Sequence, residues 1–387
     1  MAGTELIERI ENRFVKEFNL TPLVVRSPGR VNLIGEHTDY NEGFVMPAAI
    51  DKEIIVAVSR RDDLKCKLIS QDLDDRFEFD VFKKEKTEKE WPNYIMGVVD
   101  VIQKLGLSVG GFNCVIGGSI PIGAGLSSSA AVECCTAYAL NEIFQLGIEK
   151  LSLARIAQRA ENDFVGVRCG IMDQFASLYG KEDHVIKLDC RSLAYEYFPF
   201  KLQGIKVVLY DTQVKHSLAS SEYNTRRAQC EAGVKLLKTY YPEIYSLRDV
   251  SLDMLHACRN KFDPDIYKRC DYVVRENMRL LSATESLLQN DLYSFGQRMY
   301  ETHEGLQYDY EVSSPEQDFL VQLAKKNPNV LGARMMGGGF GGCTINLIKE
   351  QGLGEFNEKV AMEYQKKTGF PLQVYIVQIK DGTSIVR

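Results

Sequence analysis

Gly117-Gly118-Ser119-Ile120-Pro121-Ile122-Gly123-Ala124-Gly125-Leu126-Ser127-Ser128-Ser129-Ala130-Ala131 is a glycine-rich turn that runs into small, helix-forming residues. Glycine lets the backbone bend sharply and approach a ligand closely. The first turn of the helix that follows presents unpaired N–H groups and the positive end of its dipole, and three serines add hydroxyl donors there. Such a stretch suits an anion, most often phosphate. It is not a P-loop, which needs a lysine before its Ser or Thr; none occurs between Gly117 and Glu133. Phosphate charge would then be met by amides, hydroxyls and a metal ion. The competing reading is structural: a serine N-cap after a Gly-Pro turn.

The chain around this loop is long enough for two or three domains. It has 387 residues, 45% hydrophobic and 26% charged, with a net charge of -6, as in soluble globular proteins. The negative balance argues against a protein built mainly to bind nucleic acid. No apolar run approaches the roughly 18–20 residues that span a bilayer, and the charged, amphipathic start at 1–10 is unlike a signal peptide. Ten cysteines contain no C-x-x-C pair. Cys134 and Cys135 are adjacent in an expected helix and cannot easily bridge each other there. The cysteines read as small buried hydrophobes of a reducing cytoplasm.

A second informative stretch is Gly29-Arg30-Val31-Asn32-Leu33-Ile34-Gly35-Glu36-His37-Thr38-Asp39-Tyr40. Strand-like residues break at Gly35 into a turn carrying Glu36, His37 and Asp39. Two carboxylates and an imidazole so close together can pair with several hydroxyls of one ligand; the alternative is a solvated loop with one capping Asp. Asp173, among Ile171, Met172 and Phe175, is either a helix-start residue or, if buried, paired or functional. Glu161 sits on a helix expected over 152–163, where a lone Glu is usually solvated. Trp91, the only tryptophan, either packs on the core or stacks on a base.

Periodicity predicts helices over 5–18, 93–104, 126–145 and 152–163, with strands between them and further strands up to residue 200. Past Gly204 come a strand, long helices over 220–240, 265–289 and 291–306, and a capped helix start at Ser314-Pro315-Glu316-Gln317. Gly337-Gly338-Gly339-Phe340-Gly341-Gly342 contains G-x-G-x-x-G, but apolar and β-branched residues follow it. A dinucleotide fingerprint must open a helix, so this run joins two strands and lets backbone approach something closely.

Residues 30–40, 123–131 and 337–342 together resemble the three motifs of the GHMP small-molecule kinases. Residues 29–40 are similar to the acidic sugar-binding turn of the family's galactose-phosphorylating branch. The resemblance extends to 169–175, 215–223 and 309–313, nearly the whole chain. It implies an α+β GHMP kinase fold: an N-terminal ribosomal-protein-S5-like α/β domain (1–203), a C-terminal ferredoxin-like α+β domain (204–387), and an active site in the cleft between them.

Carried over by position, Asp173 takes or orients the proton of the anomeric hydroxyl, and Arg30 holds it ionised and stabilises charge on the transferring phosphoryl group. Glu36, His37, Asp39, Gly170, Asp173 and Tyr223 bind sugar hydroxyls. Gly123, Ala124, Gly125, Leu126, Ser127, Ser128, Ser129 and Ala130 hold the phosphates of ATP, and Trp91 lies against adenine. Ser129 and Glu161 contact Mg²⁺, and 337–342 lies close to sugar and phosphates. The expectation is a cytoplasmic monomer acting on D-galactose and Mg-ATP, with no nucleic-acid or membrane partner. N-acetylgalactosamine as acceptor and a non-catalytic sugar and ATP sensor are the alternatives.

Overall fold

The structure, a computed structural model, describes residues 2–121, 123–200, 202–215 and 219–386. Ile122 of the phosphate-type loop and His216, Ser217 and Leu218 of the 215–223 segment fall outside them.

The first half runs α1 (Ala2–Phe18), β1 (Leu23–Asn32), β2 (Phe44–Val45), β3 (Pro47–Arg60), β4 (Lys65–Ser70), β5 (Asp75–Asp80), α2 (Glu90–Lys104), β6 (Phe112–Gly118), α3 (Ser128–Phe144), α4 (Lys150–Arg159), α5 (Met172–Tyr179), β7 (His184–Asp189) and β8 (Tyr195–Pro199). The second half continues with β9 (Ile205–Lys215), α6 (Ala219–Leu237), α7 (Leu252–Cys258), α8 (Pro264–Leu288), α9 (Leu292–Tyr308), α10 (Pro315–Lys325), β10 (Val330–Met335), β11 (Gly341–Lys349), α11 (Leu353–Thr368), β12 (Gln373–Val377) and β13 (Ser384–Ile385). The short α7 was not expected; its N-cap Ser251, which accepts from the Met254 N–H, is its one clear local signal.

The principal sheet has the order β13-β1-β3-β6-β4-β5. Only the β4–β6 pair is parallel. Strand alternation sorts its side chains to two faces. Val24, Ile55, Ala57 and Val115 meet Leu6, Ile10 and Phe14 of α1, while Val25, Val56, Val58 and Cys114 join the core that includes α2 and α3. α3 is apolar nearly all round, and it lies against β1, β3, α2 and α5, as such a helix must.

The second sheet has the order β10-β11-β9-β12 and is wholly antiparallel. With helices between β9 and β10, and α11 between β11 and β12, this is the ferredoxin-like arrangement with extra helices. The two halves are not separate bodies. One continuous core takes in Val31 and Phe175 together with Leu209, Leu280, Phe295 and Cys343. β13, from the chain's last residues, pairs with the outer edge of β1. Among the described residues no helix is long and apolar enough to cross a membrane, and all ten cysteines are free thiols.

Candidate active site

β1 bulges between Pro28 and Arg30, and the bulge re-aims Arg30. Its backbone N–H donates to the Leu126 carbonyl at 3.2 Å, which joins the strand to the phosphate-type loop. Its guanidinium meets Asp173, in the first turn of α5, through two parallel bonds. Nε donates to Oδ1 at 2.7 Å and Nη2 to Oδ2 at 2.9 Å, the strong bidentate geometry of this pair. Nη1 donates to the Gly125 carbonyl at 2.6 Å. Burial pushes Arg30 down, but the charges of Asp173 and Glu36 push it up further, so it stays cationic.

Ser127 stands at the helix start in the left-handed region, with φ 56°, and makes no side-chain cap. The cap reading of it needs correction: its hydroxyl donates to Oδ2 of Asp173. The carboxylate is near enough to outcompete a cap. Ala124 and Leu126 put their side chains into the core, so those positions offer only backbone. Ser128 and Ser129, on the first turn of α3, line a cavity of about 410 Å³ with Trp91, Tyr94, Ile54, Ile116 and Val132. Trp91 lies within the first turn of α2, and its indole N–H donates to Asp75 at 3.1 Å. One end of the ring is thereby fixed beside the cavity.

A separate cleft of about 120 Å³ is lined by Arg30, Glu36, His37, Asp39, Glu161, Cys169, Asp173, Tyr223, Gly337 and Gly338, among others. The structure thus brings together the acidic turn, the Arg30–Asp173 pair, Tyr223 and the glycine run. Glu36, His37 and Asp39 are not a solvated loop. His37 has φ 61°, a left-handed backbone that costs a non-glycine residue of the order of 1–3 kcal/mol. Its ring packs against Tyr223 and Tyr310 at 5.3 and 4.9 Å between centroids. Its Nδ1 is 2.7 Å from the Tyr40 hydroxyl, and its Nε2 is buried without a partner. Burial lowers the imidazole to about 4, so it is neutral.

Burial, then the charges of Asp173 and Glu36, pushes Asp39 up to about 7. Glu36 moves the other way: burial would raise it, but Arg334 and Arg30 outweigh that and hold it ionised. Gly170 has no room for a side chain, since a Cβ there would lie 2.0 Å from Oδ2 of Asp39.

Glu161 is buried, against the expectation of a solvated helical Glu, because α4 continues into a π-helical turn over Ala160–Val165 that packs on α2. Such turns often mark functional positions. Its carboxyl accepts from the Ser129 hydroxyl and is pushed up to about 7 by burial and by Asp173. Gln174 Nε2 donates to it at 2.9 Å. Beside it the fully buried Glu133 keeps one oxygen without a partner. Among the described residues no three His, Cys, Asp or Glu side chains form a metal cage. One carboxylate and one hydroxyl suit Mg²⁺ that arrives with phosphate oxygens and water.

Sequence reasoning missed Arg334, Glu276, Gln174 and Glu133. Arg334 alone left a trace, a charge in the otherwise apolar strand that leads into the glycine run.

Three family models match the chain. The galactokinase galactose-binding signature covers residues 12–60, the GHMP kinases N terminal domain 93–181, and the GHMP kinases C terminal domain 283–357. The galactokinase of Clostridium acetobutylicum is 43% identical over 383 residues, 97% of this chain and 97% of that protein. That of Roseiflexus sp. is 41% identical over 378 residues, covering 97% and 96%. The Lactococcus lactis galactokinase, solved as a complex with galactose, superposes with a TM-score of 0.93 at 36% identity, over 98% of this chain and 99% of that one.

Proposed function

Because the chain belongs to the galactokinases of the GHMP kinase family, we infer that it transfers the γ-phosphoryl group of ATP to the C1 hydroxyl of D-galactose, giving galactose 1-phosphate and ADP. The observation that carries the reading is the place of the Arg30–Asp173 pair. It lines the polar cleft and, through Gly125 and Leu126, is bonded to the loop that leads into the Ser128–Ser129 helix start.

The roles follow from chemistry. Glu36, His37, Asp39, Tyr223 and the Gly170 amide pair with sugar hydroxyls. A site built this way rejects sugars that leave its buried polar groups unpaired. Ser128, Ser129 and the amides of the 123–130 loop receive phosphate oxygens at the N-terminus of α3. The apolar cavity beside Trp91 takes the adenine.

Asp173 accepts the C1 hydroxyl and sets its oxygen in line with the γ-phosphorus. With Oδ2 held by Arg30 and Ser127, and Oδ1 by Arg30 alone, Oδ1 retains a lone pair for that hydroxyl. So heavily bonded a carboxylate is fixed in place. It orients the hydroxyl first and takes its proton late, as a loose phosphoryl transition state allows. Arg30, held cationic, stabilises the charge that develops on the transferring group.

Ser129 and Glu161 are the residues that would hold Mg²⁺, which neutralises phosphate charge when bound. A single chain carries every residue named, which supports a monomer, and ten free cysteines suit a reducing cytoplasm.

The test is ADP release with Mg-ATP and galactose, N-acetylgalactosamine, glucose or no sugar, with Asp173→Asn as control. Turnover with galactose alone, lost in the variant, is expected. Preference for N-acetylgalactosamine would move the substrate, and galactose binding without turnover would leave a sensor.

A further inference from the structure

The acidic turn is held by its own half of the chain, through Thr38 and Asn41, and also by the other half. Arg334, on β10 just ahead of the glycine run, is fully buried. Its Nε donates to the Leu33 carbonyl at 2.9 Å and its Nη2 to that of Asn32. Its Nη1 donates to the Met335 carbonyl at 2.6 Å and to Oε2 of Glu36 at 2.8 Å. The Gly337 N–H donates to the same Oε2 at 3.1 Å. That oxygen is therefore fully engaged, and only Oε1 of Glu36 is left for a ligand.

From the other side Glu276, on α8 and equally buried, accepts the Gly35 N–H at 2.8 Å and the Glu36 N–H at 3.3 Å. The Thr302 hydroxyl donates to it at 3.0 Å, and Arg279 pairs with it. Its neighbour Asn277 accepts the Phe44 N–H at 2.9 Å, at the far end of the turn. Neither Arg334 nor Glu276 lines the cleft.

We propose that Arg334 and Glu276 are positioning residues for the sugar. Between them they hold the 32–36 backbone, fix the rotamer of Glu36, and present its free oxygen to the cleft, so that these two residues of the C-terminal half set sugar affinity without touching the sugar. The physical ground is the cost of buried charge. Three charged groups out of water, Arg334, Glu36 and Glu276, are tolerable only when every one is paired and hydrogen-bonded. That requirement leaves one arrangement of the 32–36 backbone. None of these bonds involves a residue that lines the cavity beside Trp91. The inference rests on the galactose reading of the cleft.

Arg334→Lys keeps the charge but replaces a planar fork with one ammonium. With three donors at one point it cannot serve three carbonyls and a carboxylate together. The expected result is a fall in kcat/KM for galactose approaching about 10²-fold, the scale of an ångström-sized misplacement. It should be carried mainly by KM for galactose, with KM for ATP unchanged to within about twofold. The rise in melting temperature on adding a non-hydrolysable ATP analogue should persist while the rise on adding galactose shrinks. Glu276→Gln, which keeps the acceptor oxygen and the shape, should show the same split more weakly, and it carries the test if Arg334→Lys does not fold.

An unchanged KM for galactose in a folded variant would overturn the proposal. So would KM values for galactose and ATP that rise together with a falling melting temperature, the mark of general loosening. If galactose neither turns over nor raises the melting temperature of the wild type, the activity reading is at fault. A responsive wild type beside equally responsive variants sinks the clamp alone.

Discussion

Arg30 grips both oxygens of Asp173, at 2.7 and 2.9 Å, while Ser127 donates to one of the two. Three donors on one carboxylate make Asp173 an acceptor of fixed orientation.

Asp173→Asn keeps the shape and swaps an acceptor for a donor that faces Arg30. We expect kcat to fall by about 10²–10⁴-fold, the range of a lost acid–base group, with nucleotide binding unchanged. Single-turnover kinetics and calorimetry with an ATP analogue check this. A loss under about tenfold would show that proton acceptance by Asp173 contributes little.

Gly170→Ala places a methyl group 2.0 Å from Oδ2 of Asp39. Backbone and carboxylate must both shift, at a cost of about 1–3 kcal/mol in stability. KM for galactose should rise while KM for ATP stays constant. Equal effects on both substrates would mean that the strain spreads beyond the sugar cleft.

Asp39 gives a pH signature. Its carboxyl stands at about 7 in the folded chain, against 3.8 for the free group. Between those values the folded state binds a proton that the unfolded state does not, so this group's contribution to stability falls as pH rises through the window. Asp39→Asn removes that loss. The stability of the variant minus that of the wild type should grow from about pH 5 to about pH 8 by on the order of 2–4 kcal/mol. His37, lowered to about 4 by burial, acts in the opposite sense but is common to both proteins. Denaturant melts at three pH values give the difference, and a flat profile would mean an Asp39 that is ionised throughout.

The single tryptophan is a built-in reporter. Trp91 lines the cavity that contains Ser128 and Ser129, so Mg-ATP should change its emission and galactose alone should not. Trp91→Tyr should raise KM for ATP several-fold, in line with a base-stacking contribution of about 1–3 kcal/mol, and leave KM for galactose unchanged. Emission that responds to galactose alone would place the nucleotide elsewhere.

Much of the chemistry was legible because it lies in short, local stretches. The 117–131 loop, the 29–40 turn and the 337–342 run each carry residues that ordinary turns do not need. Helices and strands followed from their periods, and the 314–317 cap is present as a full capping box. What those stretches could not carry was pairing across distance. Ser127 looked like a helix cap because its partner Asp173 is 46 residues away. Glu161 looked solvated because nothing local reveals that a π-helical turn packs it against α2.

The sequence by itself therefore determined most of the elements, the family and the candidate groups for sugar and phosphate, since helical and strand periods and glycine turns are properties of neighbouring residues. Only the tertiary structure decided how those groups are held. Arg334 and Glu276 lie about 300 and 240 positions from Glu36, and a charge in a strand or on a helix looks alike whether it faces water or a buried carboxylate. Burial makes the difference, because a charge taken out of water must find its partner wherever the fold has placed it.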